Sequence, residues 1–198
     1  MKRSFDFLVS LVSIIILSPI IVLIALIIKF TSKGPIIFKQ RRIGKDNIEF
    51  NIYKFRTMRI DTPNVPTHLL ENPEQWITPI GKFMRKTSLD ELPQLFNILK
   101  GDMSIVGPRP ALYNQYDLKE MRTEVDVHKL VPGLTGWAQI NGRDEIPLSL
   151  KVKLDKEYLD RKSFLFDIRI IVLTVLSVIK SDGVQEGKAE NNNESISM

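Results

Sequence analysis

The most pronounced feature of the hydropathy pattern lies at the N-terminus. Phe7 to Ile28 runs for 22 residues without a charge, almost all of them Leu, Ile or Val. As one straight helix it is about 33 Å long at 1.5 Å per residue, enough to span a bilayer. A cleavable signal peptide has a shorter apolar stretch followed by a small-residue cleavage site, and neither is present. Ser18-Pro19 falls at the middle. Pro19 has no N–H for the carbonyl of Ile15, and the Ser18 hydroxyl can turn back to a nearby carbonyl and favour a bend. Lys2 and Arg3 precede the segment; Lys29, Lys33, Lys39, Arg41, Arg42 and Lys45 follow it. The positive-inside bias draws both ends to the cytoplasm. Two readings stay open: a kinked span, and a re-entrant helix-break-helix over residues 1–33 that enters and leaves by one face.

Residues 34–180 predict a compact, irregular region. Ile36-Ile37-Phe38 and Phe50–Phe55 read as short strands around the turn Gly44-Lys45-Asp46-Asn47. Four prolines between Ile60 and Pro79 mark a loop with at most a helical turn, a candidate for mobility. Ile80–Lys86 and Leu89–Lys100 have helical spacing, and Gly101, Gly107, Pro108 and Pro110 then stop regular structure. Leu112–Glu124 predicts a further helix, and Pro132–Gly142 a glycine-rich loop. Phe164–Ile179 is strongly apolar but carries Asp167 and Arg169, so it is too short to span. It reads as a core helix or as an amphipathic helix in the membrane interface, with Lys162, Arg169 and Lys180 toward the headgroups. The fold class expected is α+β, mainly helical with short β elements. Residues 181–198 are polar and Asn-rich, with four acids against Lys188, and predict a disordered acidic tail.

Composition narrows the chemistry. The absence of cysteine excludes a disulfide framework, a thiolate nucleophile and Cys-based metal sites. His68 and His128 have no ligand-like spacing. The net charge is +5, and the acidic tail leaves the body still more basic, which suits an anionic partner.

The chemistry-bearing residues lie mostly between Arg85 and Arg143. In Thr87-Ser88-Leu89-Asp90-Glu91-Leu92-Pro93, Ser88-x-x-Glu91 is a capping-box pattern, so these acids can simply start a helix. Asp90 then lies near a helix N-terminus, where the dipole favours its ionised form. An ionised carboxylate among cations is a nucleophile suited to phosphorus. Glu91 beside it can hold a divalent cation or handle a proton. Arg109 between Pro108 and Pro110 has little backbone freedom and suits bidentate phosphate binding; its bland alternative is a surface salt bridge. Trp137, Gln139, Asn141 and Arg143 form a set that can hold a nucleotide, or an ordinary turn capped by an arginine. Lys54 and Arg56 alternate along a strand and so project from one face.

These blocks resemble the bacterial sugar transferases, the short monotopic polyprenyl-phosphate phosphoglycosyl transferases. The resemblance rests on Ser18-Pro19; Phe38, Gln40, Arg42 and Gly44; YKFRTM at 53–58; SLDELPQLFNILKGDMSIVGPRP at 88–110; and PGLTGWAQINGR at 132–143. It implies that Asp90 attacks the sugar-bearing phosphorus of a UDP-sugar and releases UMP. Undecaprenyl phosphate then takes the phosphosugar from Asp90. Glu91 would assist with Mg²⁺, held by Asp90 and Glu91, or as acid/base. Arg109 and Arg143 would hold phosphates or nucleotide, with Arg56 and Arg85 as further candidates. Ser18-Pro19 would mark the break of a re-entrant helix that moors the catalytic domain on the cytoplasmic face of the bacterial inner membrane.

A rival reading is a non-catalytic, membrane-attached scaffold for an anionic partner, which would release no UMP from UDP-sugars. Charge alone suggests a nucleic-acid partner, and no helix-turn-helix or aromatic RNA-binding signature supports one, so none is expected. The pattern selects no particular sugar and no oligomeric state.

Overall fold

A computed structural model describes residues 2–63, 72–142 and 146–179. The tail expected at 181–198, and much of the Pro-rich loop, lie outside the described residues. The described chain is mainly helical, with two separate two-stranded sheets.

Helix α1 runs over Lys2–Thr31 with Pro19 inside it. The helix continues through Ser18-Pro19 rather than ending there. The Ile15 carbonyl, deprived of its usual N–H donor by Pro19, accepts instead from the Ser18 hydroxyl at 2.8 Å. One stripe of α1 faces the rest of the protein: Asp6, Ser10, Ile24 and Ile28 are buried, and Ile14, Leu17 and Ile21 are partly so. Their spacing of three and four residues is that of a single helix face. The other faces stay apolar and bare, with Ile16 68% and Phe30 83% exposed. A soluble monomer rarely leaves so long an apolar surface uncovered.

Both ends of α1 are tied to the same body. Near its start, Lys2 pairs with Asp167, Arg3 donates to the Leu99 carbonyl, and Asp6 accepts from Ser104 Oγ at 2.8 Å and from the Ile105 N–H at 3.2 Å. At its far end, Ile24 and Ile28 pack with Phe55 and Met84, and Ser32 just beyond accepts from Arg56.

Strands β1 (Ile37–Ile43) and β2 (Glu49–Phe55) form an antiparallel hairpin in the register Phe38↔Lys54 and Gln40↔Ile52. Asp46 and Asn47 take positive φ in its turn, which their short polar side chains tolerate. The free edge of β2 is closed by one side chain. Asn97, fully buried on α3 (Gln94–Lys100), accepts from the Tyr53 N–H and donates to the Asn51 carbonyl.

Where the sequence predicts only breaks and loop, the chain forms a parallel pair: β3 (Ser104–Val106) beside β4 (Gly133–Thr135). Each strand is three residues long, too short for a period-two signal. Glycine makes the pairing sterically possible, since a Cβ on Gly136 would lie 2.1 Å from the Gly107 carbonyl oxygen. Helices α2 (Pro79–Lys86), α4 (Tyr116–Glu124), α5 (Trp137–Ile140), α6 (Leu148–Arg161) and α7 (Phe164–Ile179) complete the fold. Helix α7 divides its surface: Phe166, Asp167 and Ile170 are buried, while Leu165, Val172, Val175 and Leu176 are exposed.

Candidate active site

Asp90 and Glu91 sit in a single 3₁₀ turn, Leu89–Glu91, ahead of α3. The capping box does not form. Ser88 is left-handed, at φ 56°, with no side-chain cap bond, and Glu91 turns to two cations instead of to the Ser88 N–H. Pro93 explains the register: it cannot donate an N–H within a helix, so α3 begins after it.

Glu91 Oε1 accepts from Lys54 Nζ at 2.6 Å and from Arg109 at 3.3 Å. Lys54 Nζ also lies 3.9 Å from Asp90 Oδ2. Three segments far apart in sequence thus meet at one point: β2, the turn before α3, and the loop after β3.

The electrostatics correct one expectation. Asp90 is 8% exposed, and burial pushes its carboxyl above the ordinary range, against the pull of Lys54 and Arg85. The helix dipole does not hold it low. Glu91 behaves oppositely. Burial disfavours its charge, but Lys54 and Arg109 together outweigh that, and its carboxyl is held well below the usual range. Adjacent carboxylates are therefore driven apart in acidity.

Arg109 is held from several sides. Pro108 and Pro110 are buried beside it. Its carbonyl accepts from Arg122 at 2.8 Å, and the Pro110 carbonyl accepts from Arg42 at 3.0 Å. Arg122 is in turn fixed by a buried pair with Asp155 on α6 at 2.6 Å. Arg122, Asp155 and Asn97 escape sequence reasoning, because nothing in their local pattern marks them.

The other predicted residues fall into three groups. Arg85 donates to Thr57 Oγ1 at 3.0 Å, within electrostatic reach of Asp90. Arg56 does not share a face with Lys54: β2 ends at Phe55, and Arg56 folds back, buried, to Ser32. Beyond the strand's end the alternation of side chains no longer holds. In the glycine-rich loop, Gln139 donates to the Leu134 carbonyl, Asn141 to the Trp137 carbonyl, and Trp137 to Glu157 on α6. Arg143 lies outside the described residues. The β3–β4 pairing and the close approach of Gly136 to Gly107 bring this loop against the start of the Gly107-Pro108-Arg109-Pro110 segment.

Comparison with known proteins gives a consistent picture. The sequence model of the bacterial sugar transferases matches residues 1–181. An uncharacterised sugar transferase of Bacillus subtilis, EpsL, is 42% identical over 189 residues, covering 94% of this chain and 91% of that protein. The exopolysaccharide production protein ExoY of Sinorhizobium fredii is 38% identical, over 92% of this chain and 87% of that protein. The UDP-glucose:undecaprenyl-phosphate glucose-1-phosphate transferase of Escherichia coli is 41% identical over 88% of this chain, which spans only 39% of that longer protein.

Proposed function

The chain belongs to the bacterial sugar transferase family, and on that premise we propose that it transfers a sugar 1-phosphate from a UDP-sugar to undecaprenyl phosphate, an early membrane step of surface-glycan assembly. The observation that carries the chemistry is the pair of carboxylates facing Lys54 and Arg109.

Asp90 is the nucleophile. One of its oxygens attacks the phosphorus that bears the sugar, the bond from that phosphorus to the oxygen bridging to UMP breaks, and UMP leaves with the electron pair. A phosphate oxygen of the lipid then attacks the same phosphorus, the acyl-phosphate bond breaks, and Asp90 is regenerated as a carboxylate. A buried carboxylate with a raised pKa is more basic and less solvated than a free one, and Lys54 keeps a share of it ionised. Arg109 and Arg85 stabilise charge on the transferring oxygens, and Arg143, Gln139 and Asn141 belong to the loop that would border the nucleotide.

Mg²⁺ fits the donor set. It takes one or two carboxylates plus substrate phosphates, and Asp90 and Glu91 are adjacent, with both cation contacts of Glu91 on Oε1. When bound, Mg²⁺ would neutralise charge developing on the diphosphate.

The anchoring of α1 supports the re-entrant reading. A helix of 30 residues is about 45 Å long. Lys2, Arg3 and Asp6 at one end, and Ile28 and Ser32 at the other, contact the same body. A helix crossing the bilayer would carry one of these ends to the opposite face. A bend at Ser18-Pro19 would let both ends stay at the cytoplasmic surface, with the bare apolar faces of α1 and α7 in lipid.

The test is intact-protein mass spectrometry with UDP-sugars and no lipid acceptor. A phosphosugar adduct is expected, with loss of the adduct in Asp90→Asn. Turnover that persists in Asp90→Asn would refute the mechanism, and absence of UMP release across a UDP-sugar panel would favour the scaffold reading.

A further inference from the structure

One buried polar side chain beside Asp90 is left unpaired. Gln94 is the first residue of α3 and is 1% exposed. Its Nε2 is buried and has no hydrogen-bond partner among the described residues. Buried donors are nearly always paired, so this one calls for an explanation. Asn97, one turn further along α3, is the contrast: its amide spans the Tyr53 N–H and the Asn51 carbonyl of β2.

The neighbours of Gln94 fix where it lies. Glu91, three residues before it, meets Lys54 of β2 at 2.6 Å, and Asn97, three residues after it, bonds the edge of the same strand. Leu92 and Pro93 have helical backbone, so the turn runs into α3 without a break, and residues three apart on it share a face. Gln94 therefore belongs to the face turned to β2, between these two contacts. Long side chains on a helix lean back toward its N-terminus, which carries the Gln94 amide toward Asp90 and Glu91. Residues four apart have Cβ atoms about 5–6 Å from each other, a span that a Gln–Asp hydrogen bond closes. Glu91 Oε1 is already taken by Lys54 and Arg109. Asp90 is less well provided for: Lys54 stands 3.9 Å from it, beyond hydrogen-bond length.

We propose that Gln94 is a further catalytic residue, whose spare amide N–H donates to the Asp90 oxygen released when the phosphosugar passes to the lipid. This rests on the covalent reading given above. In that second step an oxygen of the lipid phosphate attacks phosphorus, the bond from phosphorus to the Asp90 oxygen breaks, and the electron pair stays on Asp90. Negative charge thus appears on a buried carboxyl group that was neutral as an acyl phosphate. A fixed donor at a place where charge develops acts without reorganisation. A neutral amide suits this place better than another cation. It stabilises the departing carboxylate without binding Asp90 in a permanent ion pair, which would blunt it as the nucleophile of the first step. In the resting protein the Nε2 group is bonded to neither carboxylate, so it is available when the charge returns.

The experiment times the two steps separately, with the full chain in phosphatidylcholine nanodiscs. A panel of UDP-sugars is first supplied without lipid acceptor, and the phosphosugar adduct is followed by intact-protein mass spectrometry. Undecaprenyl phosphate is then added and loss of the adduct is timed. In Gln94→Met, which keeps the length and volume of the side chain, discharge should slow about tenfold, the effect of one hydrogen bond to a charged group, while adduct formation changes by less. The resting variant should melt no lower than the parent, because it loses an unpaired buried donor. An amide that merely braced α3 would give a lower melting temperature with both steps slowed alike, and that result would overturn the proposal; so would discharge at the parent's rate. Gln94→Glu carries the test if the methionine variant does not fold. Its carboxylate cannot donate and its protonated form can, so discharge relative to the parent should recover as the pH is lowered, and a ratio that stays flat would overturn the proposal. A parent chain that forms no adduct with any UDP-sugar would remove the covalent reading and this proposal together, whereas adduct in the parent with unaltered discharge in the variants would remove this proposal alone.

Discussion

Lys54 Nζ lies 2.6 Å from Glu91 Oε1, a contact that joins the end of the β-hairpin to the turn ahead of α3. The same ammonium is 3.9 Å from Asp90, so one cation serves two carboxylates of opposite character.

The first prediction concerns pH. On the proposed mechanism Asp90 attacks as a carboxylate, so the rate falls as pH drops through its raised pKa. Lys54 opposes that rise. Lys54→Met therefore moves the acid limb of the rate profile to higher pH. A pH profile of UMP release checks this, and an acid limb that stays put or moves down would refute the electrostatic role.

Stability should respond oppositely at the two carboxylates. The folded pKa of Asp90 is raised, so its contribution to stability is present at low pH and lost as pH rises through that pKa. Asp90→Asn should melt no lower than the parent at pH 7 while losing activity. The folded pKa of Glu91 is depressed, so its contribution is present at neutral pH and lost in acid. Glu91→Gln should lower the melting temperature at pH 7, with the difference shrinking as the pH is lowered. Scanning calorimetry across pH separates the two.

Asn97 bonds the Tyr53 N–H and the Asn51 carbonyl across the open edge of β2. Asn97→Ala removes the partner of two backbone groups that are only partly buried, at about 1 kcal/mol each, and empties the fully buried site of the Asn97 side chain. Urea denaturation should show this loss, and activity should fall because Lys54 sits on the strand so released. Asn97→Asp keeps the acceptor for Tyr53 and should lose less strand alignment than Asn97→Ala, read as a smaller drop in kcat.

The buried Arg122–Asp155 pair holds the Arg109 carbonyl from behind. Removing one partner leaves an uncompensated buried charge, at roughly 3–5 kcal/mol. Asp155→Ala should unfold at markedly lower urea than the parent, whereas an exposed-pair control such as Lys82→Ala should change little.

The chain has no cysteine, so single cysteines can be placed freely. Ser4→Cys and Lys33→Cys, at opposite ends of α1, should both react with an impermeant maleimide from the cytoplasmic side of sealed vesicles. Labelling of the two from opposite sides would establish a true span.

Much of this protein is legible locally. An uncharged run of 22 residues makes a helix long and apolar enough to cross a bilayer, because that depends on apolar length alone. Two short runs rich in apolar and aromatic residues on either side of the turn Gly44–Asn47 give the hairpin, and the Asp90-Glu91 pair and the proline-flanked Arg109 stand out as residue types that bear chemistry. Only the tertiary structure decides what those groups become. Ser88 and Glu91 have the letters of a capping box, yet the stronger attraction of Lys54 and Arg109 draws Glu91 away. Asp90 is set above its ordinary pKa by burial, which no local motif encodes. Arg56 leaves the strand face that its spacing implies, because β2 stops one residue earlier. The three-residue strands β3 and β4 carry no periodicity of their own and exist only because each completes the other. Periodicity and polarity act over a few neighbouring residues, whereas partners, desolvation and the ends of strands are fixed by segments that meet from far apart in the chain.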